Sequence, residues 1–262
     1  MIAKEELLRN ARIMGMKPHQ QEKHYIQTLI LRSIYSSQNP VFKGGTALMF
    51  RYGLNRFSEG LDFTSIDENQ PDDLMQTIRD DLRYLGIESN LKVITDNDIS
   101  LSFRFGAEGP LFTKEIERCY VRIEVSRREF VLLATDPFFM NSQYPDILPF
   151  SVSTMNIQEI MAEKVRAIMT RDKARDVYDL WYLMTDKGEE GAGSFWKEDM
   201  ITMINRKLEY YGLMFDPKQF VERIHEKEDL WKAELTPIIF GTLPDYETVH
   251  HELLQFLNID LS

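Results

Sequence analysis

Residues 41–64, VFKGGTALMFRYGLNRFSEGLDFT, limit what this chain can build more tightly than any other stretch. The apolar pair Val41 and Phe42 runs through Lys43 into Gly44-Gly45-Thr46. A helix is predicted over 47–52, and a second apolar segment then carries Asp62. Adjacent glycines let the main chain approach phosphate oxygens, and the N–H groups that open a helix point at an anion. A hard cation such as Mg2+ takes oxygen ligands, which Asp62 can supply. Strand, glycine turn, helix and acidic strand, in that order, predict a phosphate cradle beside a metal site. Lys43 and Arg56 flank it, either as phosphate ligands or as solvated charges.

Beyond that motif the chain reads as a mixed α/β half followed by a helical half. Leu7, Leu8, Ala11 and Met14 recur at helical spacing, as do Tyr25, Ile26, Leu29, Ile30 and Ile34, and Pro18 fits the start of the second helix. Leu74, Met75, Ile78, Leu82 and Leu85 mark a further amphipathic helix that Gly86 ends. Strands are predicted over 91–95, 100–105, 119–126 and 150–154. From Asn156 onward nearly every segment reads as helix. Asn156 and Glu159 suit a capping box, and helices are expected over 175–184, 195–211, 217–225 and 246–257, with 188–193 a surface loop. The expected fold class is α/β (α+β), a mixed-sheet core with N-terminal helices over 1–154 and a helical bundle over 155–262.

Composition narrows the functional classes. At 262 residues and 43% hydrophobic, the chain can bury a substantial core. A net charge of −11 argues against broad electrostatic adhesion to nucleic acid, while leaving room for a local basic groove. The single cysteine, Cys119, excludes an internal disulfide and suits a reducing, cytoplasmic compartment. Its neighbours Tyr120, Val121 and Ile123 place it in a core strand rather than at a nucleophilic site. No apolar run approaches membrane-spanning length, nothing resembles a signal peptide, and the five histidines lack zinc spacing.

Phosphoryl and nucleotidyl transfer cluster carboxylates on one sheet face to hold the metal ions. Along a strand, residues two apart share a face, yet the position two before Asp62 is Gly60. Thr64 shares the face of Asp62 and could offer a hydroxyl. Glu59 is adjacent but out of phase and would need a bulge. A single-metal site is the third possibility. On 120–126, Val121, Ile123 and Val125 face one way and Arg122, Glu124 and Ser126 the other. Glu124 is therefore a metal ligand or base, or else a partner of Arg122 or Arg127. Lys164, Arg166, Arg171, Lys173 and Arg175 form the densest positive run, suited to a triphosphate or an RNA backbone. Lys164 lies off the apolar helix face and is expected to reach outward. Asp176 and Asp179, three apart, fall on one helix face. Asp176 could alternatively pair with Arg175 or Lys173. Tyr52, Trp181 and Tyr182 could stack on a base, but their spacing suits core.

Three blocks carry a resemblance. Lys43–Leu48 with Arg56–Phe63, Arg122-Ile123-Glu124-Val125, and EIMAEKVRAIMTRDKARDVYDLWYL over 159–183 resemble, in the same order, motifs of the AbiEii/AbiGii toxin family. These are DNA polymerase beta-type nucleotidyltransferases associated with type IV toxin–antitoxin and abortive-infection systems. The resemblance implies a nucleotidyltransferase fold and transfer of NMP from an NTP to an acceptor hydroxyl. It implies Mg2+ on Asp62 and Glu124 with help from Thr64, and nucleotide bound by Lys43, Gly44, Gly45, Thr46, Lys164 and Arg175. Asp62, Glu124, Lys164 and Asp176 would be catalytic, with Lys164 on the phosphates and Asp176 completing the site. Some relatives act on tRNA 3′ ends, which implies an RNA acceptor, and a cognate antitoxin is an implied partner. Gly60 departs from the family's acidic pair. A binding protein of the same fold that has lost catalysis, and a small-molecule nucleotidyltransferase, remain as rival readings.

Overall fold

The computed structural model describes residues 1–64, 71–127, 130–185 and 198–256. The chain packs as two compact units, Met1–Arg51 with Phe57–Met155, and Tyr52–Arg56 with Asn156–Ser262.

In the first unit the described strands are β1 (Val41–Lys43), β2 (Gly60–Thr64), β3 (Ser89–Asp96), β4 (Ser100–Ala107), β5 (Cys119–Ser126), β6 (Asp136–Met140) and β7 (Phe150–Thr154). They form one sheet in the order β3-β4-β5-β2-β1-β7-β6. β5 runs parallel to β2 and β7 parallel to β1, and the other neighbours are antiparallel. Register joins Phe42, Phe63, Val125 and Leu101 in one lateral row and Leu61, Ile123 and Phe103 in the next. All seven side chains are buried.

Onto that face pack α1 (Lys4–Ile13), α2 (Pro18–Ser37) and α4 (Pro71–Tyr84), through Leu7, Tyr25, Ile26, Leu29, Ile30, Leu74, Ile78 and Leu82. Each such side chain contributes about 1.5–3 kcal/mol by leaving water. Period two then fixes the other face as polar. Lys43, Asp62, Glu124 and Ser102 share one lateral row there, across β1, β2, β5 and β4. α3 (Gly44–Tyr52) leaves β1 with no intervening residue.

The second unit is helical where described: α5 (Ile157–Thr170), α6 (Ala174–Thr185), α7 (Glu198–Glu209), α8 (Pro217–His225), α9 (Glu228–Leu235) and α10 (Tyr246–Phe256). Trp231 of α9 is buried against Tyr178 of α6, and its indole N–H donates to the Pro244 carbonyl at 2.9 Å. Buried Lys207 of α7 reaches Glu159 at 2.6 Å and Glu163 at 3.3 Å on α5. The segment Tyr52–Arg56 belongs here because Tyr182 donates to the Gly53 carbonyl at 2.7 Å and Asn55 accepts from the Phe240 N–H at 3.2 Å.

The strands predicted over 119–126 and 150–154 and the helix over 217–225 are found at those residues. Asn156 does cap α5, accepting from the Gln158 N–H at 2.9 Å. Glu159, expected to complete a capping box, turns inward to Lys207, because a buried lysine needs a counter-charge more than an exposed N–H needs an acceptor. Among the described strands and α-helices, β6 and α9 escaped the periodicity. β6 is an edge strand interrupted by Pro137, and α9 has eight residues. The loop expected over 188–193 and the start of the helix over 195–211 lie outside the described residues. Cys119 is buried, and that burial pushes its thiol up to about 12, as a core cysteine requires. Trp181 and Tyr182 serve the helical packing, Trp181 by donating to Glu252 at 2.6 Å.

Candidate active site

The glycine turn and the acidic strand meet at two residues. Gly44 holds φ at +73°, a left-handed conformation that L side chains rarely adopt. A β-carbon built there would lie 2.5 Å from Oδ2 of Asp62 and 3.1 Å from its Cγ. The missing side chain thus lets the opening of α3 close onto the carboxylate. The first N–H groups of a helix lack intrahelical partners and carry its positive dipole end. In this fold they stand beside Asp62. Thr46, expected to bind phosphate, is fully buried and its hydroxyl donates to the Gly60 carbonyl. That bond ties the first turn of α3 to the start of β2, so a phosphate placed here would meet main chain rather than the threonine hydroxyl. Lys43 is buried on the row of Asp62.

Asp62 and Glu124 are direct lateral partners on parallel strands, which puts both carboxylates on the polar face. Glu124 is half-exposed and pairs with Arg122 at 2.7 Å. Thr64 shares the face as predicted, but its side chain is buried and its hydroxyl donates to the Ser126 carbonyl at 3.2 Å. It therefore stitches β2 to β5 and is not presented to an ion. Glu59 does not fill the gap at Gly60 either. β2 begins at Gly60 without a bulge, and Glu59 pairs with Lys23 at 3.1 Å. Among the described residues no three acidic, histidine or cysteine side chains converge on one point. The donor set fits one oxygen-liganded divalent cation completed by phosphate oxygens, and lacks the third carboxylate of a two-ion arrangement.

A different constellation occupies the second unit. Lys164, on α5, is buried and its ammonium lies 3.0 Å from Asp176 and 2.5 Å from Asp179 on α6. Arg171 donates to Asp176 from Nε and Nη2 at 2.7 and 2.8 Å, and Arg56 donates to Asp179 likewise at 2.6 and 2.7 Å. Burial pushes both aspartates up, but the surrounding cations outweigh it. Lys164 and Arg171 hold Asp176 well below the usual carboxylate range, and Arg56 and Lys164 lower Asp179. Three cations, Lys164, Arg171 and Arg56, thus share the two carboxylates.

The three-residue spacing of Asp176 and Asp179 does bring them to one point. The expectation that Lys164 reaches outward fails, because its side chain is held between both of them. Asp176 pairs with neither Arg175 nor Lys173. Arg175 is exposed on the first turn of α6. Arg56 is neither a phosphate ligand nor a solvated charge, since it lies buried on Asp179. Arg171, read in the sequence only as one of the positive run, is instead a partner of Asp176, and its five-residue offset across the α5–α6 turn is the local signal for that pairing.

Residues 31–252 match the family described as the nucleotidyl transferase AbiEii toxin of type IV toxin–antitoxin systems. The fold resembles that of the nucleotidyltransferase toxin MenT4 of Mycobacterium tuberculosis H37Rv, with a TM-score of 0.68 at 17% identity over 100% of this chain and 91% of that one. JHP933 of Helicobacter pylori gives 0.60 at 21% identity over 92% and 90%. A putative nucleotidyltransferase of H. pylori gives 0.59 at 21% over 90% and 92%. No curated protein matches.

Proposed function

The chain belongs to the AbiEii family of nucleotidyl transferase toxins, and on that premise we propose that it moves NMP from an Mg-bound NTP to a hydroxyl of RNA, with tRNA 3′ ends as the foremost acceptor. The observation that carries this reading is the contact of Gly44 with Asp62, which sets helix N–H groups beside a carboxylate. An NTP triphosphate would lie on the Gly44-Gly45 main chain at the α3 N-terminus. Asp62 and Glu124 would hold the divalent ion, whose charge would offset that of the phosphates and of the leaving pyrophosphate. Glu124 also accepts the proton of the attacking hydroxyl. The acceptor oxygen bonds to the α-phosphorus while its bond to the bridging oxygen breaks, and pyrophosphate departs. The cytoplasm suits such chemistry, and a cognate antitoxin would be the physiological partner.

The test is transfer of α-labelled NTP onto cellular RNA with Mg2+, which must depend on Asp62. A second reading, a catalytically weakened binder of NTP or RNA, is favoured by Gly60 and by the Arg122 guanidinium on Glu124. It predicts tight Mg-NTP binding without label transfer.

A further inference from the structure

Two residues before Asp62 and Glu124, the strand register reads Gly60, Arg122, Arg104 and Lys92 across β2, β5, β4 and β3. In-register residues share a face, so three cations stand side by side on the polar face. They span about 10 Å from first to last at the usual strand spacing. Like charges directly opposite each other destabilise a sheet, and two such neighbour pairs occur here in succession. The chain carries a net charge of −11, so a general basic surface does not account for them. Of the nearby carboxylates, Glu124 pairs with Arg122 of the row itself, while Asp96 is engaged with Arg127, and Glu108 and Glu115 with Arg118, so the unbalanced charge of the row lies on Arg104 and Lys92.

The next row holds Tyr120, Gly106 and Asn90. A β-carbon on Gly106 would collide with Asn90 and with the Tyr120 ring, so that glycine lets the tyrosine lie across β4. The Arg104 guanidinium sits 4.5 Å over that ring, and Tyr120 remains 37% exposed. A line of cations beside an exposed aromatic is the combination that holds single-stranded nucleic acid, with phosphates on the charges and a base on the ring. Sheet order adds direction. The glycine cradle on β1 and α3 lies on one side of Asp62 and Glu124, and the basic row extends from Gly60 toward β3 on the other.

We propose that the row Lys92–Arg104–Arg122, with Tyr120, is the track on which a single-stranded RNA acceptor lies, delivering its terminal hydroxyl to Glu124. This rests on the RNA-acceptor reading above. A phosphate arriving on Arg122 would compete with Glu124 for the guanidinium and free that carboxylate for the acceptor hydroxyl.

The experiment measures binding of a fluorescent single-stranded oligoribonucleotide of about twelve nucleotides by anisotropy across a salt series. It compares the native chain, Lys92→Ala/Arg104→Ala, and a charge-matched control, Arg9→Ala/Lys218→Ala. The track variant is expected to bind about tenfold more weakly, with the slope of log affinity against log salt reduced by about 1.4, as two lost phosphate contacts require. Its Mg-NTP affinity should match the native value, and the control should bind RNA normally. Equal RNA binding by track variant and control, or no RNA binding by the native chain, overturns the track. Label transfer is read separately. RNA bound through this row but never labelled would refute the transfer reading and leave the track standing. RNA labelled with an unchanged KM in the track variant would do the reverse.

Discussion

A β-carbon on Gly44 would sit 2.5 Å from Oδ2 of Asp62, so the residue that opens α3 and the carboxylate of β2 are packed as one unit. Eighteen positions of sequence separate them, and the Thr46 hydroxyl on the Gly60 carbonyl locks the same arrangement from the other side. The proposed phosphate cradle and the proposed metal-ligating position are therefore not independent. A change to either moves both.

Gly44→Ala is expected to cost about 2–4 kcal/mol, combining left-handed strain with overpacking. It should also displace Asp62 and lower transfer about a hundredfold. Thermal unfolding and initial rates measure the two effects. A Gly44→Ala chain with native activity would mean that the carboxylate does not depend on this packing.

Arg56→Met tests whether the buried arginine is structural. It leaves Asp179 with Lys164 as its remaining charged partner among those described, and should lower stability by about 3–5 kcal/mol. Mg-NTP affinity of the folded protein should stay unchanged. A loss of affinity with native stability would instead make Arg56 a phosphate ligand.

The same cluster sets an acid limit. Asp176 and Asp179 have folded pKa values below their unfolded ones, so their stabilisation is fully present above about pH 3.9. It is lost as pH falls from there through the folded values. Denaturant midpoints should accordingly fall below pH 4 in the native chain and fall less in Asp176→Asn. Parallel acid profiles for the two proteins would contradict this.

Much of this arrangement was legible in the chain because it is local. The glycine turn, the polar face of β5 and the three-residue spacing of Asp176 and Asp179 each follow from a short-range period, and the sheet and helices respect them. What periodicity could not reveal is what each polar group meets. Thr46, Thr64 and Lys164 looked available because their types suit phosphate or metal. Burial assigns them instead to a carbonyl of β2, a carbonyl of β5 and a pair of aspartates. Arg56 and Asp179 are 123 residues apart, and no local pattern pairs them. The basic row was equally hidden, since Lys92, Arg104 and Arg122 align only once the strand register is known.

Gly60→Asp probes the one departure from the paired-carboxylate pattern. Gly60 needs no left-handed backbone, and an added β-carbon would lie 3.4 Å from the Arg122 carbonyl, so a side chain fits with little adjustment. The variant should bind Mn2+ about tenfold more tightly, a gain of about 1.4 kcal/mol. It should be less stable without metal, because a third carboxylate joins Asp62 and Glu124. Calorimetric titration and melting with and without Mn2+ read both. No change in either would place position 60 outside the proposed metal site.

The central claim is most directly tested by incubating the native chain and Asp62→Asn with each α-labelled NTP, Mg2+ and total RNA, then resolving the RNA by gel. Label on RNA from the native chain, absent with the folded Asp62→Asn protein, is the predicted result. Equal label from both proteins, or none from the native chain despite bound Mg-NTP, would contradict it.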